Sequence, residues 1–201
     1  MGRYAQQPGN VLYTSQINEE EYPEQSQRTY TTNTPPRIVM LHGNVTEETI
    51  ANATAQLLYF ASIGSEPISL VLSTYGGSVH EMFVLYDTIK FLPCPVYTIA
   101  LGKLMSAGVL ILASGEKGKR LIGQSTRIMM HSISAGAFGN IFEITNLTDE
   151  YQLLQKQMTK ALIAETGMTK KLIHDLMSTK LDRYMGPDEA IKLGIVDKIM
   201  G

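Results

Sequence analysis

One hydroxyl stands out in an apolar run: Ser106 in GKLMSAGVLILASG, residues 102–115. A serine here can be packing filler, a helix cap or a nucleophile. Standing just before a helical pattern, Ser106 taken alone reads most simply as the cap. The same place has a chemical use, because the helix leaves the N–H of Ala107 unpaired and free to face a developing oxyanion. Leu104 occupies the first glycine position of a G-x-S-x-G elbow, so an α/β-hydrolase reading is weak. Gly76-Gly77 in STYGGSVHE is either a strand-to-helix turn or a place where backbone approaches a substrate and offers a second N–H. The stretch lacks the spacing of a phosphate loop.

Partners for such a serine are few. The chain has four histidines. His42 ends the first expected strand, His80 lies in the first turn of a helix, and His174 in KKLIHDLM suits a solvated or half-buried helix position. His131 closes RIMMH at a strand end, where a general base would be wanted. Singly, each is more simply a structural residue. The six aspartates are 87, 149, 175, 182, 188 and 197. Asp182, in LDRYMGPDEA, is a turn residue or the carboxylate that orients a histidine; composition does not choose. No His/Cys/Asp/Glu cluster has metal-ligand spacing, so no metal is expected. The single cysteine, Cys94 in LPCPV, excludes an intrachain disulfide and reads as a small buried hydrophobe.

These residues need elements to position them. Residues 1–36 are polar, without sustained period, and end at Pro35-Pro36: a flexible segment is expected there, and one domain from 37 to 201. RIVMLHG (37–43) reads as a strand, and Thr46 caps a helix with Glu47 and Glu48 in its first turn. ISLVLS (68–73) and PVYTIAL (95–101) are buried strands, each followed by a helix; KRLIG and TRIMMH are two more strands. A long helix spans about 141–166 before Gly167, Thr169 caps another, and PDEAIKLGIVDKIM is a proline-started helix and a last strand. Such alternation, with continuously apolar strands, makes an α/β fold with a parallel-rich sheet. Reactive groups in these folds gather at the carboxyl ends of strands, which Gly76-Gly77, Ser106 and His131 all follow.

The bulk numbers set limits. A chain of 201 residues can bury one sizeable core. Its 18% charged residues leave surface for self-association, and a net charge of −2 without a long basic run argues against nucleic acid. No apolar stretch reaches membrane-span length and the first residues lack a secretory signal, so a soluble cytoplasmic protein is expected.

From about Tyr30 to Met200 the chain resembles the proteolytic-subunit family of the Clp protease, serine peptidases of the crotonase-like superfamily. The resemblance rests on five ordered motifs: YTTNTPPRIVMLHGNV, LVLSTYGGSVHEMFVLYDTIKF, TIALGKLMSAGVLILASGEKGKR, STRIMMH and LDRYMGPDEAIKLGIVDKI. It implies a crotonase-like fold of stacked ββα units with the 141–166 helix as a handle between two heptameric rings. It also implies Ser106 as nucleophile, His131 as general base, Asp182 as the group that orients the imidazole, and the N–H groups of Gly77 and Ala107 as the oxyanion hole. SISAGAFGN, with Ile133, Ser134, Ala135 and Gly136, takes the place of the strand that pairs with substrate backbone. The implied activity is endopeptidase action on unfolded polypeptides fed by an AAA+ unfoldase, which alone uses ATP; no cofactor is implied. Tyr75 stands where the family has proline, Lys103, Leu104 and Met105 replace polar neutral or small residues, and Ser132-Ile133 replace Gln-Pro. Rival readings are a non-catalytic ring subunit, a virus-type processing protease without an unfoldase, a crotonase-type acyl-CoA enzyme, and a Ser–Lys dyad using Lys103.

Overall fold

The computed structural model describes residues 36–177 and 181–201, so the flexible segment expected over 1–36 lies, Pro36 apart, outside the described residues. Strands and helices alternate as their patterning requires: β1 Ile38–Val45, α1 Glu47–Ile63, β2 Ile68–Gly77, α2 Val79–Phe91, β3 Val96–Met105 and α3 Ala107–Ala113. Then follow β4 Leu121–Gly123, β5 Arg127–Met130, α4 Ile141–Thr166, α5 Lys170–Met177, β6 Arg183–Met185, α6 Pro187–Lys192 and β7 Lys198–Met200. The sheet runs β1-β2-β3-β4-β7, with β5 also on β3 and β6 on β5. Every pairing is parallel except β5 with β6. This is the parallel-rich α/β architecture that the strand–helix alternation implies. Among the described residues, no helix is long and apolar enough to cross a membrane.

Alternation in β2 and β3 sends Ile68, Leu70, Leu72, Val96, Ala100 and Leu104 to one face, where they are buried against Ile50, Leu57, Met82 and Leu85. Each fully buried aliphatic side chain of this kind contributes about 1.5–3 kcal/mol relative to exposure. Helix α3 is apolar all round and all seven of its residues are buried, so the chain emerging from β3 is held rigidly. Helix starts follow the capping signals. Thr46 accepts from Thr49 N–H within a capping box, and Asn140 accepts from Phe142 and Glu143 N–H. Gly167, in the left-handed region at φ 76°, ends α4.

Two buried polar side chains shape the sheet, one on each side. Strand β3 pairs with β4 through Ile99 and Ala100 and with β5 through its last three residues. At the changeover the Thr126 hydroxyl accepts from Gly102 N–H (3.0 Å) and donates to Ala100 C=O (3.2 Å), so neither backbone group is orphaned. Arg120, with a side chain 6% exposed, ties the far side together. Its Nη1 donates to the Glu165 and Gly194 carbonyls at 3.0 and 2.8 Å, at the C-terminal ends of α4 and α6. Asp197 Oδ2 accepts from Gly118 N–H, Arg120 N–H and Arg120 Nε at 2.8–2.9 Å.

Burial alone would raise the Asp197 pKa, but the hydrogen bonds and charge of Arg120 outweigh it and hold the carboxyl below its ordinary range. A depressed pKa stabilises the fold above the unfolded value, near 3.9, and that stabilisation is lost as pH falls through the folded value. Asp197→Asn should therefore lower unfolding free energy at pH 7 by about 3 kcal/mol. In denaturant titrations the gap from the parent should begin to narrow below about pH 4 and close only once pH has fallen through the folded value, where both carry a neutral group at 197.

Candidate active site

Strand β3 hands the chain directly to α3 through Ser106, whose backbone sits at φ 54°, ψ −122°. Among the described residues it is the one non-glycine with positive φ. Such a conformation costs on the order of 1–3 kcal/mol and persists where the surroundings dictate it. Here they do: Ser106 N–H donates to Met129 C=O at 2.8 Å, and α3 is buried behind it. The side chain makes no cap hydrogen bond, so the simplest expectation for this residue, a helix cap, is not what its hydroxyl does. The turn has the strand–serine–helix form of a nucleophile elbow even though Leu104 replaces the first glycine of that motif. Room for it comes from neighbouring glycines. A Cβ on Gly76 (φ +88°) would stand 2.7 Å from both Met105 O and Ser106 Cβ, and one on Gly108 would stand 2.6 Å from Thr74 Cγ2. Buried Thr74 holds this bend by accepting Gly76 N–H at 2.9 Å.

His131 and Asp182 arrive by strand register. β5 lies parallel to β3 with Met105 opposite Met129, so His131, two residues on, comes up beside Ser106. Its Nε2 is 2.7 Å from Ser106 Oγ. β6 runs antiparallel to β5 with Met130 opposite Arg183, and the next step of that register sets Asp182 beside His131. His131 Nδ1 and Asp182 Oδ1 are 3.6 Å apart, an ion-pair distance slightly too long for a hydrogen bond. The His131 side chain is 27% exposed and that of Asp182 is 49% exposed. A hydroxyl against one ring nitrogen and a carboxylate facing the other is an arrangement able to move a proton from the hydroxyl to the ring.

A pocket of about 60 Å³ opens beside Ser106, walled by Val109, Leu110, Met130, Met158, Leu162 and Met177. At roughly 10–15 Å³ per water it has room for about four to six waters, the bulk of one aliphatic side chain. Gly77 and Ala107 line the same pocket, and Ala107 opens α3, where its N–H has no intrahelical acceptor. Ile133 and Ser134 also line it, while Ala135 and Gly136 continue into an adjoining groove against α4. The 131–138 backbone is irregular rather than a strand, and Ile133 N–H is held by Gln155 Oε1 at 2.8 Å. The remaining chemistry-bearing residues lie elsewhere. His42 sits within β1, which runs on to Val45; His80 starts α2; His174 is exposed on α5 beside Asp175. Lys103 Nζ packs over the Tyr75 ring, 4.7 Å from its centroid. Among the described residues no three His, Cys, Asp or Glu side chains are grouped to hold a metal.

Several contributors were not singled out in the sequence: Thr74, Thr126, Gln155 and the pocket walls on α4. Met158 and Leu162 did carry a signal, a buried pair at i, i+4 on the long helix.

Comparison with known proteins gives a consistent result. The family model for Clp protease matches residues 20–201. The ATP-dependent Clp protease proteolytic subunit 2 of Chlamydia trachomatis serovar D is 35% identical over 166 residues, covering 82% of this chain and 80% of that protein. The proteins of the same name from Chlamydia trachomatis serovar A and Chlamydia muridarum match with the same identity and coverage.

The Gly76 approach yields a test of the serine's geometry. Gly76→Ala should slow modification of Ser106 by a fluorophosphonate about tenfold or more, since an added methyl must displace the serine turn. Gly118→Ala carries the same kind of backbone strain (φ +83°) but its added methyl would meet no atom within 4 Å, so it should cost stability while leaving that rate near the parent's. Mass spectrometry of the adduct reads both.

Proposed function

The chain belongs to the Clp protease family, and on that premise we propose that it is a serine endopeptidase subunit that hydrolyses unfolded polypeptides through an acyl-enzyme. The observation that carries this reading is the 2.7 Å approach of His131 Nε2 to Ser106 Oγ, made by a serine held at positive φ beside a side-chain-sized pocket. Ser106 Oγ attacks a peptide carbonyl as His131 Nε2 takes its proton. The N–H groups of Gly77 and Ala107 receive the oxyanion; one such donor is typically worth about 2.7–4 kcal/mol. His131 returns the proton to the leaving amine, the C–N bond breaks, and the acyl group remains as an ester on Ser106. Water, deprotonated by the same imidazole, then hydrolyses that ester. Asp182 holds Nδ1–H toward its carboxylate and offsets the positive charge on the ring. Closing the 3.6 Å gap by less than an ångström would complete that hydrogen bond. Lys103 is occupied over Tyr75, which favours the histidine over a lysine base.

The pocket's methionine and aliphatic walls fit one medium-sized apolar side chain, and Ile133, Ser134, Ala135 and Gly136 would meet the peptide backbone. Two features support self-association into the stacked heptameric rings expected of this family. The sheet face away from the helices leaves Ile38, Met40, Tyr75 and Leu101 exposed. The first half of α4 is exposed nearly throughout, with Phe138, Ile141 and Phe142 uncovered at its start, as a handle reaching another subunit would be. The relatives' name carries "ATP-dependent", while STYGGSVHE here lacks phosphate-loop spacing. An AAA+ unfoldase as the ATP-using partner, with no cofactor in this chain, accounts for both. A cytoplasmic setting accords with the unpaired, buried Cys94.

Treatment with a fluorophosphonate should give a single adduct on Ser106, absent in His131→Ala; an unlabelled but fully assembled parent would favour a non-catalytic ring subunit. Pairing Ile141→Ser with Phe142→Ser should shift the assembly to smaller species in sedimentation velocity. Peptide hydrolysis should fall with it by about tenfold or more if the handle carries the ring contact.

A further inference from the structure

The stretch that follows His131 has no strand of its own to hold it, and yet its first turns must present backbone to a substrate in one register. One hydrogen bond supplies a fixed point: Ile133 N–H donates to Gln155 Oε1 at 2.8 Å. Both residues are half-buried. Gln155 shares a face of α4 with Met158 and Leu162, three and seven positions on, which wall the pocket beside Ser106. The same helical face therefore shapes the pocket and holds the backbone next to it. Thr159 Oγ1 donates back to the Gln155 carbonyl at 2.8 Å, so the tether is anchored on an intact turn.

Direction matters here as much as anchorage. In extended backbone, successive N–H groups point to opposite sides. Committing the Ile133 N–H to α4 turns the Ser134 N–H outward whenever the stretch extends to pair with a peptide. Without an acceptor at 155, the partly buried Ile133 amide would have to find another partner, and rotation of that peptide plane would reverse the outward pattern.

We propose that Gln155 is a positioning residue: acting through the Ile133 amide, it sets the register in which residues 132–136 receive an extended peptide. This role rests on the serine-peptidase reading of the site. Gln155 touches neither the reacting atoms nor Ser106, so its effect belongs to extended substrates rather than to the nucleophile.

The test compares two reactions of the same assembled protein, an extended fluorogenic peptide and a small fluorophosphonate that needs no register. Gln155→Leu, which removes the acceptor, should lower kcat/KM for the peptide about five- to tenfold, chiefly through KM. Its rate of Ser106 labelling should change by less than about twofold. Gln155→Glu keeps an acceptor oxygen at the same reach and should recover peptide turnover to within about threefold of the parent. Equal losses in both reactions would mean general disruption of the site and overturn the proposal. Unchanged peptide kinetics in Gln155→Leu, with the parent labelled normally, would overturn it and leave the peptidase reading intact. A parent that neither labels nor cleaves would bring down both.

Discussion

Strand β5 is four residues long, and its two edges do different jobs. One edge runs parallel to β3 and sets His131 beside the residue that ends β3; the other runs antiparallel to β6 and sets Asp182 beside His131. A serine, a histidine and an aspartate from three distant parts of the chain thus meet at the ends of three adjacent strands. The constraint is strict, because a one-residue slip in either ladder would turn a side chain to the other face of the sheet. Thr126 fixes the first ladder by bridging Ala100 and Gly102 where β3 leaves β4 for β5.

The site is carried by close approaches that tolerate little change. Gly76 passes against the Ser106 turn, Gly108 against Thr74, and Thr74 takes up the Gly76 amide. Strain in the serine backbone is sustained by the burial of α3, whose every residue lies in the core. Further away, Arg120 joins the ends of α4 and α6 to the loop before β4. It therefore steadies the base of the long helix whose middle walls the pocket. The geometry around Ser106 and global stability are linked through these shared elements, not through contacts between the two regions.

Other features point outward. A half-exposed helix and a sheet face bearing uncovered apolar side chains are costly in a lone chain and sensible in an assembly. The long helix then has three uses along its length: its start offers apolar surface, its middle holds the Ile133 backbone and walls the pocket, and its end is fastened by Arg120 and by Tyr86 and Lys90 on Glu165. Burial of the phenol and its bond to Glu165 push the Tyr86 pKa up to about 12, so that fastening stays protonated on tyrosine through the neutral range.

Much of this was written locally. Period-two and helical spacing, Thr46, Gly167 and the proline at 187 mark elements that the structure places within a few residues. The ordered motifs around Ser106, His131 and Asp182 identified the family. What the sequence could not decide is whether those three residues meet. That depended on β6, a three-residue strand hidden in LDRYMG, too short to show a period, and on two ladder registers set by contacts far apart in the chain. The serine's role was likewise undecidable from its neighbours. A cap and a nucleophile share the same position before a helix, and only the backbone angle of 54°, imposed by Gly76 and buried α3, turned the hydroxyl toward His131. Local chemistry wrote the elements; long-range packing chose which groups would touch.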